Sequence, residues 1–151
     1  MSDLTEFYQE LILDHNKRPR NRRRIEDADY HAQGYNPLCG DKVTVFLKVQ
    51  DGRVRDVAFE GSGCAISTAS ASIMTETLRG KTLDQAKALF EKFHAMITGE
   101  PIEKDEGPDL GKLEVFSGVC RYPARVKCAA LVWHTVQAAL DDRAEEIVTT
   151  E

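Results

Sequence analysis

Long apolar runs are missing from this chain of 151 residues. None approaches the roughly 20 residues that a membrane-spanning helix needs, so no membrane role is expected. Excess positive charge is missing too. The net charge of −5 disfavours nonspecific attachment to nucleic acid or anionic lipid. Aromatic residues make up only 7%, and none interleaves with the basic run Lys17-Arg18-Pro19-Arg20-Asn21-Arg22-Arg23-Arg24. That run therefore reads as a solvated loop ahead of a docking patch for an acidic partner, and not as a nucleic-acid surface. The sequence holds no internal repeat and no Cys-x-x-Cys pair. No serine elbow accompanies Asp14-His15, which excludes the hydrolase reading. The segment Met1–Glu6 is acidic and amphipathic, unlike a signal peptide, and a cytoplasmic location is expected. In that reducing compartment Cys39, Cys64, Cys120 and Cys128 read as ligands or nucleophiles rather than as disulfides.

What is present is the patterning of one small α+β domain over residues 1–151. Hydrophobic residues are 42%, enough for a core at this length. Leu4, Phe7, Tyr8, Leu11 and Ile12 recur at helical spacing and predict an opening helix over about 3–15, ending before Pro19. Residues 29–36 are extended. Val43, Val45, Leu47 and Val49 alternate with Lys42, Thr44, Phe46 and Lys48 and predict a strand with one buried face. Asp51-Gly52 is a hairpin turn leading to a returning strand with Val54, Val57 and Phe59. The expected sheet is small, antiparallel and three-stranded, packed against several helices. A small-residue helix follows Cys64 and stops at Gly80. Thr82 and Gln85 form a capping box for a helix with Ala86, Leu89, Phe90, Phe93 and Ile97 on one face. The acidic stretch 99–111 is a loop. Leu110, Leu113, Val115 and Phe116 form a short covering helix. The last helix starts near Pro123–Lys127, buries Val126, Ala129, Ala130, Trp133, Val136 and Leu140, and leads into a loose tail over about 142–151.

The chemistry concentrates in three places. Cys39 and Asp41 flank Gly40, whose backbone freedom suits a tight turn. Cys64 is placed at a helix start, where the macrodipole favours a thiolate. Cys128 is placed in the first turn of the last helix. Three thiolates and one carboxylate make a tetrahedral zinc set. Ordinary buried thiols would give the same spacing. Cys120 is either an alternative fourth ligand, a sulfur relay or a buried residue. His31 is a weaker alternative ligand. His94 and His134 are partly exposed helix residues.

These stretches resemble a known family. Asp14-His15 with Pro19-Arg20-Asn21, then Asn36-Pro37-Leu38-Cys39-Gly40-Asp41, Phe59-Glu60-Gly61-Ser62-Gly63-Cys64-Ala65-Ile66-Ser67, Ala69-Ser70-Ala71-Ser72 and Pro123-Ala124-Arg125-Val126-Lys127-Cys128 are similar to the IscU/SufU/NifU-N-terminal proteins of iron–sulfur cluster assembly. The likeness covers nearly the whole chain. Within the family the chain resembles the SufU branch. Lys127 stands where the IscU branch has a histidine. Tyr122-Pro123-Ala124-Arg125-Val126 stands where that branch has the chaperone-read Leu-Pro-Pro-Val-Lys. The stretch from about 99 to 118 looks like an insertion.

The resemblance implies a SufE/NifU-like fold and a zinc ion on Cys39, Asp41, Cys64 and Cys128. It implies that Cys39 accepts persulfide sulfur from a PLP-dependent cysteine desulfurase of the SufS type. Arg125 and Lys127, beside Cys128, would steer an acidic partner surface or stabilise the thiolates, or simply be solvated. The alternative function is a scaffold that assembles a [2Fe–2S] cluster for downstream iron–sulfur proteins. A zinc domain that only mediates protein contacts is the third reading.

Overall fold

The structure is a computed structural model and describes residues 3–100, 107–141 and 147–149. The elements run α1 (Asp3–Lys17), β1 (Tyr30–Asn36), β2 (Asp41–Gln50), β3 (Arg53–Ser62), α2 (Ala65–Leu78), α3 (Leu83–Ile97), two short 3₁₀ segments (Gly111–Phe116 and Val119–Arg121), α4 (Pro123–Leu140) and β4 (Ile147–Thr149). The protein is α+β, with a sheet packed against helices. Strand order is β3-β2-β1-β4. The first three strands are antiparallel, and β4 runs parallel to β1. This corrects the three-stranded expectation and assigns 147–149, part of the expected loose tail, to the sheet. The strand is too short to show alternation. Only Val148 packs on the core, while Ile147 is 62% exposed. The rest of the expected tail, 142–146 and 150–151, lies outside the described residues.

Local chemistry explains the joints. Asp51 and Gly52 both have positive φ, 55° and 74°, as a two-residue hairpin of the right twist requires. Thr82 accepts from Gln85 N while Gln85 returns to the Thr82 N–H. No helix among the described residues is long and apolar enough to cross a membrane.

The sheet's inner face carries α4. Sequence spacing assigns this helix one apolar stripe. In the structure it is enclosed on several sides, and Leu131, Val132, Thr135, Ala138 and Ala139 are buried as well. Small residues make the close packing possible. Ser70 Oγ donates to the Ala129 carbonyl across α2 and α4 at 2.7 Å. A Cβ on Gly34 would sit 2.1 Å from Thr135 Oγ1 and 3.1 Å from Leu131 Cδ1. Gly34→Ala is therefore expected to cost about 1–3 kcal/mol through overpacking. Matching denaturation midpoints for the two proteins would contradict this contact.

The basic run is neither free in solvent nor an open patch. It straps the outer face of the sheet. Arg20 pairs with Asp14 at 2.7 Å. Arg22 donates to the Gly61 carbonyl at 2.6 Å and bridges in parallel to Phe59. Arg23 and Arg79 share Asp56. Arg24 lies over the Phe46 ring, and Ile25 closes a small second cluster with Phe46 and Ala58.

Beneath the strap, His15 is fully buried. Ser72 Oγ accepts the Arg20 N–H at 2.8 Å and lies 2.7 Å from His15 Nδ1. The Ser72 proton can therefore go to Nδ1, leaving Nε2–H toward Glu76, 3.5 Å away. Burial, helped by Arg20, holds His15 below its usual pKa despite Glu76. Burial and His94 do the same to His134. A lowered folded pKa means that acid protonates the unfolded chain first. Stability is therefore expected to be full above about pH 6.5 and to fall as pH drops below it. Urea midpoints across pH 7.5 to 5 should show a shallower fall for His15→Gln, because any metal-linked contribution is common to both proteins. Parallel profiles would contradict the assignment.

Candidate metal centre

The site forms at one end of the sheet, where three pieces of chain meet. The first is the β1–β2 connection. Gly40 N–H donates to the Asn36 carbonyl at 2.8 Å, and Gly40 has φ 74°, which closes the turn that presents Cys39. Asn36 and Asp41 face each other as the last pair of that ladder, and both are fully buried. Cys39 is exposed.

The second piece is the start of α2. Cys64 is its N-cap, with Sγ accepting from Ser67 N at 3.4 Å. Its own N–H donates to Asp41 Oδ1 at 2.8 Å. This close approach needs glycine before it, since a Cβ on Gly63 would lie 2.8 Å from that same oxygen. The third piece is α4, which buries Cys128. Cys128 lies in the second turn of that helix, one turn deeper than expected, because Pro123 is already helical.

Ligand atoms of Cys39, Asp41 and Cys128 lie within 4.8 Å of one another. Cys128 Sγ is 3.5 Å from Cys39 Sγ. Cys64 stands just outside this trio, with Sγ 3.8 Å from Asp41 Oδ2. Tetrahedral zinc with bonds of about 2.3 Å separates its sulfur ligands by about 3.8 Å, so the donor spacing fits such an ion. The electrostatics ask for one. Burial pushes the Cys128 thiol up, and neighbouring Cys39, Asp41 and Cys64 push it further. Among the described residues no ion pair involves Asp41. A buried carboxylate beside three thiols is costly without a cation, and a divalent ion reverses that balance.

The remaining candidates lie apart from this cluster. Cys120 is exposed, near Gly99, with Sγ 3.8 Å from the Ser117 carbonyl. His31 points outward on β1. His94 and His134 pack edge-on against each other, with centroids 5.5 Å apart. Arg125 stacks over Tyr122 at 4.5 Å and Lys127 is half-buried. No hydrogen bond or ion pair among the described residues joins either to the four donors.

This arrangement has counterparts. Residues 7–129 match the NifU-like N terminal domain family. The chain belongs to that family. Two NifU-like relatives align along most of both chains. The zinc-dependent sulfurtransferase SufU of Bacillus subtilis is 39% identical over 90% of this chain and 90% of its own. The iron–sulfur cluster assembly scaffold protein IscU of Streptococcus pyogenes is 36% identical over 93% and 86%. Among solved structures, the N-terminal part of a nitrogen-fixing NifU-like protein from Brucella abortus superposes with a TM-score of 0.80 at 28% identity, covering 96% of this chain and 99% of that one. Within this NifU-like domain the site residue that sequence reasoning passed over is Asn36. It was visible only as the first letter of the Cys39 motif.

Proposed function

We propose that this protein is a zinc-dependent acceptor of persulfide sulfur in iron–sulfur cluster assembly, working with a cysteine desulfurase of the SufS type. The observation that carries the proposal is the asymmetry of the four donors. Cys39 is exposed on a turn, whereas Cys64 caps a helix, Cys128 is buried in α4 and Asp41 is buried at a strand start. One donor is free to leave while three stay. Zinc, when bound, holds the thiols deprotonated at neutral pH.

Once a partner group relieves Cys39 of its place, the Cys39 thiolate attacks the outer sulfur of the partner's cysteine persulfide. A new S–S bond forms on Cys39, the partner's S–S bond breaks, and the partner leaves as a thiolate, as in thiol–disulfide exchange. Asp41, a hard oxygen donor in a soft set, would be the weaker anchor for a bound zinc ion. Arg125 and Lys127 lie on the same helix end and would meet an acidic partner surface. The sulfur then passes to downstream assembly proteins, and a cytoplasmic setting suits such thiol chemistry.

The scaffold reading has its own support. Thiolate-rich sites also hold iron–sulfur clusters, and two relatives that align along most of both chains carry the scaffold name. Lys127, in the place where the IscU branch has histidine, favours the acceptor reading. Alanine release by the desulfurase from cysteine separates the two. The zinc-loaded protein is expected to accelerate it without iron. No acceleration, together with an iron–sulfur absorption spectrum after anaerobic iron addition, would favour the scaffold.

A further inference from the structure

Asn36 has a geometry that neither zinc ligation nor sulfur transfer accounts for. It is fully buried and touches both the departing ligand's turn and the ligands that stay. On the turn side, its carbonyl accepts the Gly40 N–H at 2.8 Å and its Oδ1 accepts the Leu38 N–H at 3.2 Å. These bonds flank Cys39 on both sides. On the other side, its Nδ2 faces Asp41 Oδ2 at 3.5 Å, long for an amide–carboxylate bond, and Cys128 Sγ at 3.6 Å, ordinary for sulfur. Asn36 therefore turns its amide nitrogen toward two of the four ligand atoms and gives one acceptor to the loop of a third. No other described side chain does this.

We propose that Asn36 is a positioning residue that couples the Cys39 turn to the fixed pair Asp41 and Cys128. A neutral amide suits the task. With zinc bound it would face a carboxylate and a thiolate as a donor, and it adds no charge of its own to the site. Because the turn is fastened to Asn36 by backbone and Oδ1, displacement of Cys39 leaves Asp41 and Cys128 held through Nδ2. Partners of metal ligands commonly act in this way. The proposal rests on the zinc site of the preceding reading, but not on sulfur transfer.

Two substitutions dissect it. Asn36→Asp keeps an oxygen for the Leu38 N–H, removes the donor and adds the negative charge that the amide avoids. Asn36→Leu removes both the oxygen and the donor. Zinc affinity, measured by competition with a chromophoric chelator, is expected to fall about 10–100-fold in each. The thiolate-to-metal bands of the cobalt(II)-loaded proteins should shift in energy and intensity. Hydrogen exchange at Leu38, whose N–H the Asn36 side chain holds, should quicken in Asn36→Leu and change much less in Asn36→Asp. An Asn36→Asp protein with affinity at or above wild type and an unchanged cobalt spectrum would reduce Asn36 to a turn former and overturn the proposal.

If neither variant folds, the wild-type protein still decides. Its Asn36 side-chain amide signals should shift on zinc addition and exchange slowly with solvent, and signals indifferent to zinc would overturn the coupling. A wild-type chain that takes up neither zinc nor cobalt would end both proposals. A chain that binds zinc yet accepts no sulfur would end only the sulfur-acceptor reading.

Discussion

Cys39→Ala is expected to lower sulfur acceptance by about three orders of magnitude or more, the scale seen when a nucleophile is removed. Position accounts for the size of the effect. Cys39 is the exposed member of the set, carried on a turn next to Leu38, itself 64% exposed. Cys64 is tied twice, through Sγ to Ser67 N and through its own N–H to Asp41. Cys128 is enclosed by α4 and its neighbours. Cys128 is buried, and Cys64, only partly exposed, is held at its helix end by both bonds. Three donors survive the substitution, so zinc should still bind, more weakly. Persulfide chemistry at full rate in Cys39→Ala would contradict the role, and a persulfide on Cys120 would move it there. Cys120→Ala should be neutral, because that thiol is not among the clustered donors and lies against Ser117 and Gly99.

Removal of zinc by a strong chelator is expected to produce the largest change in stability. The four donors come from the β1–β2 turn, the start of α2 and the body of α4, so the ion ties together elements distant in sequence. Binding to the folded state alone adds about 4 kcal/mol when free zinc exceeds its dissociation constant about a thousandfold. At about 2–4 °C per kcal/mol for a chain of this size, the melting temperature should drop by roughly 8–16 °C. Without the ion, buried Asp41 faces three thiols with no cation among the described residues. Calorimetry with and without chelator checks this, and superimposable melting curves would contradict a structural contribution from the metal.

Much of this architecture is legible in the residues because local chemistry dictated it. Asp51-Gly52 can close only one kind of tight hairpin, and the Thr82–Gln85 box marks a helix start whatever lies nearby. The ligand candidates announced themselves as reactive residue types beside glycines. Other features needed three dimensions. β4 depends on three residues meeting an open edge of β1. The burial of α4 on several sides depends on what surrounds it, so its pattern shows one stripe only. The arginines of the strap look like a solvated loop until Asp14, Asp56 and the Gly61 carbonyl come into reach. The sequence excludes a catalytic role for Asp14-His15 but does not show that His15 is a buried peg between α1 and α2. Asn36 carries an amide like any other in the sequence, and its importance lies in what it faces.

The most direct test of the central claim is the intact mass of the zinc-loaded protein after incubation with a SufS-type cysteine desulfurase and cysteine, followed by peptide mapping. The account predicts a product one sulfur atom heavier, with the added sulfur on Cys39 and zinc retained. An unchanged mass under conditions where the desulfurase carries its own persulfide would contradict it.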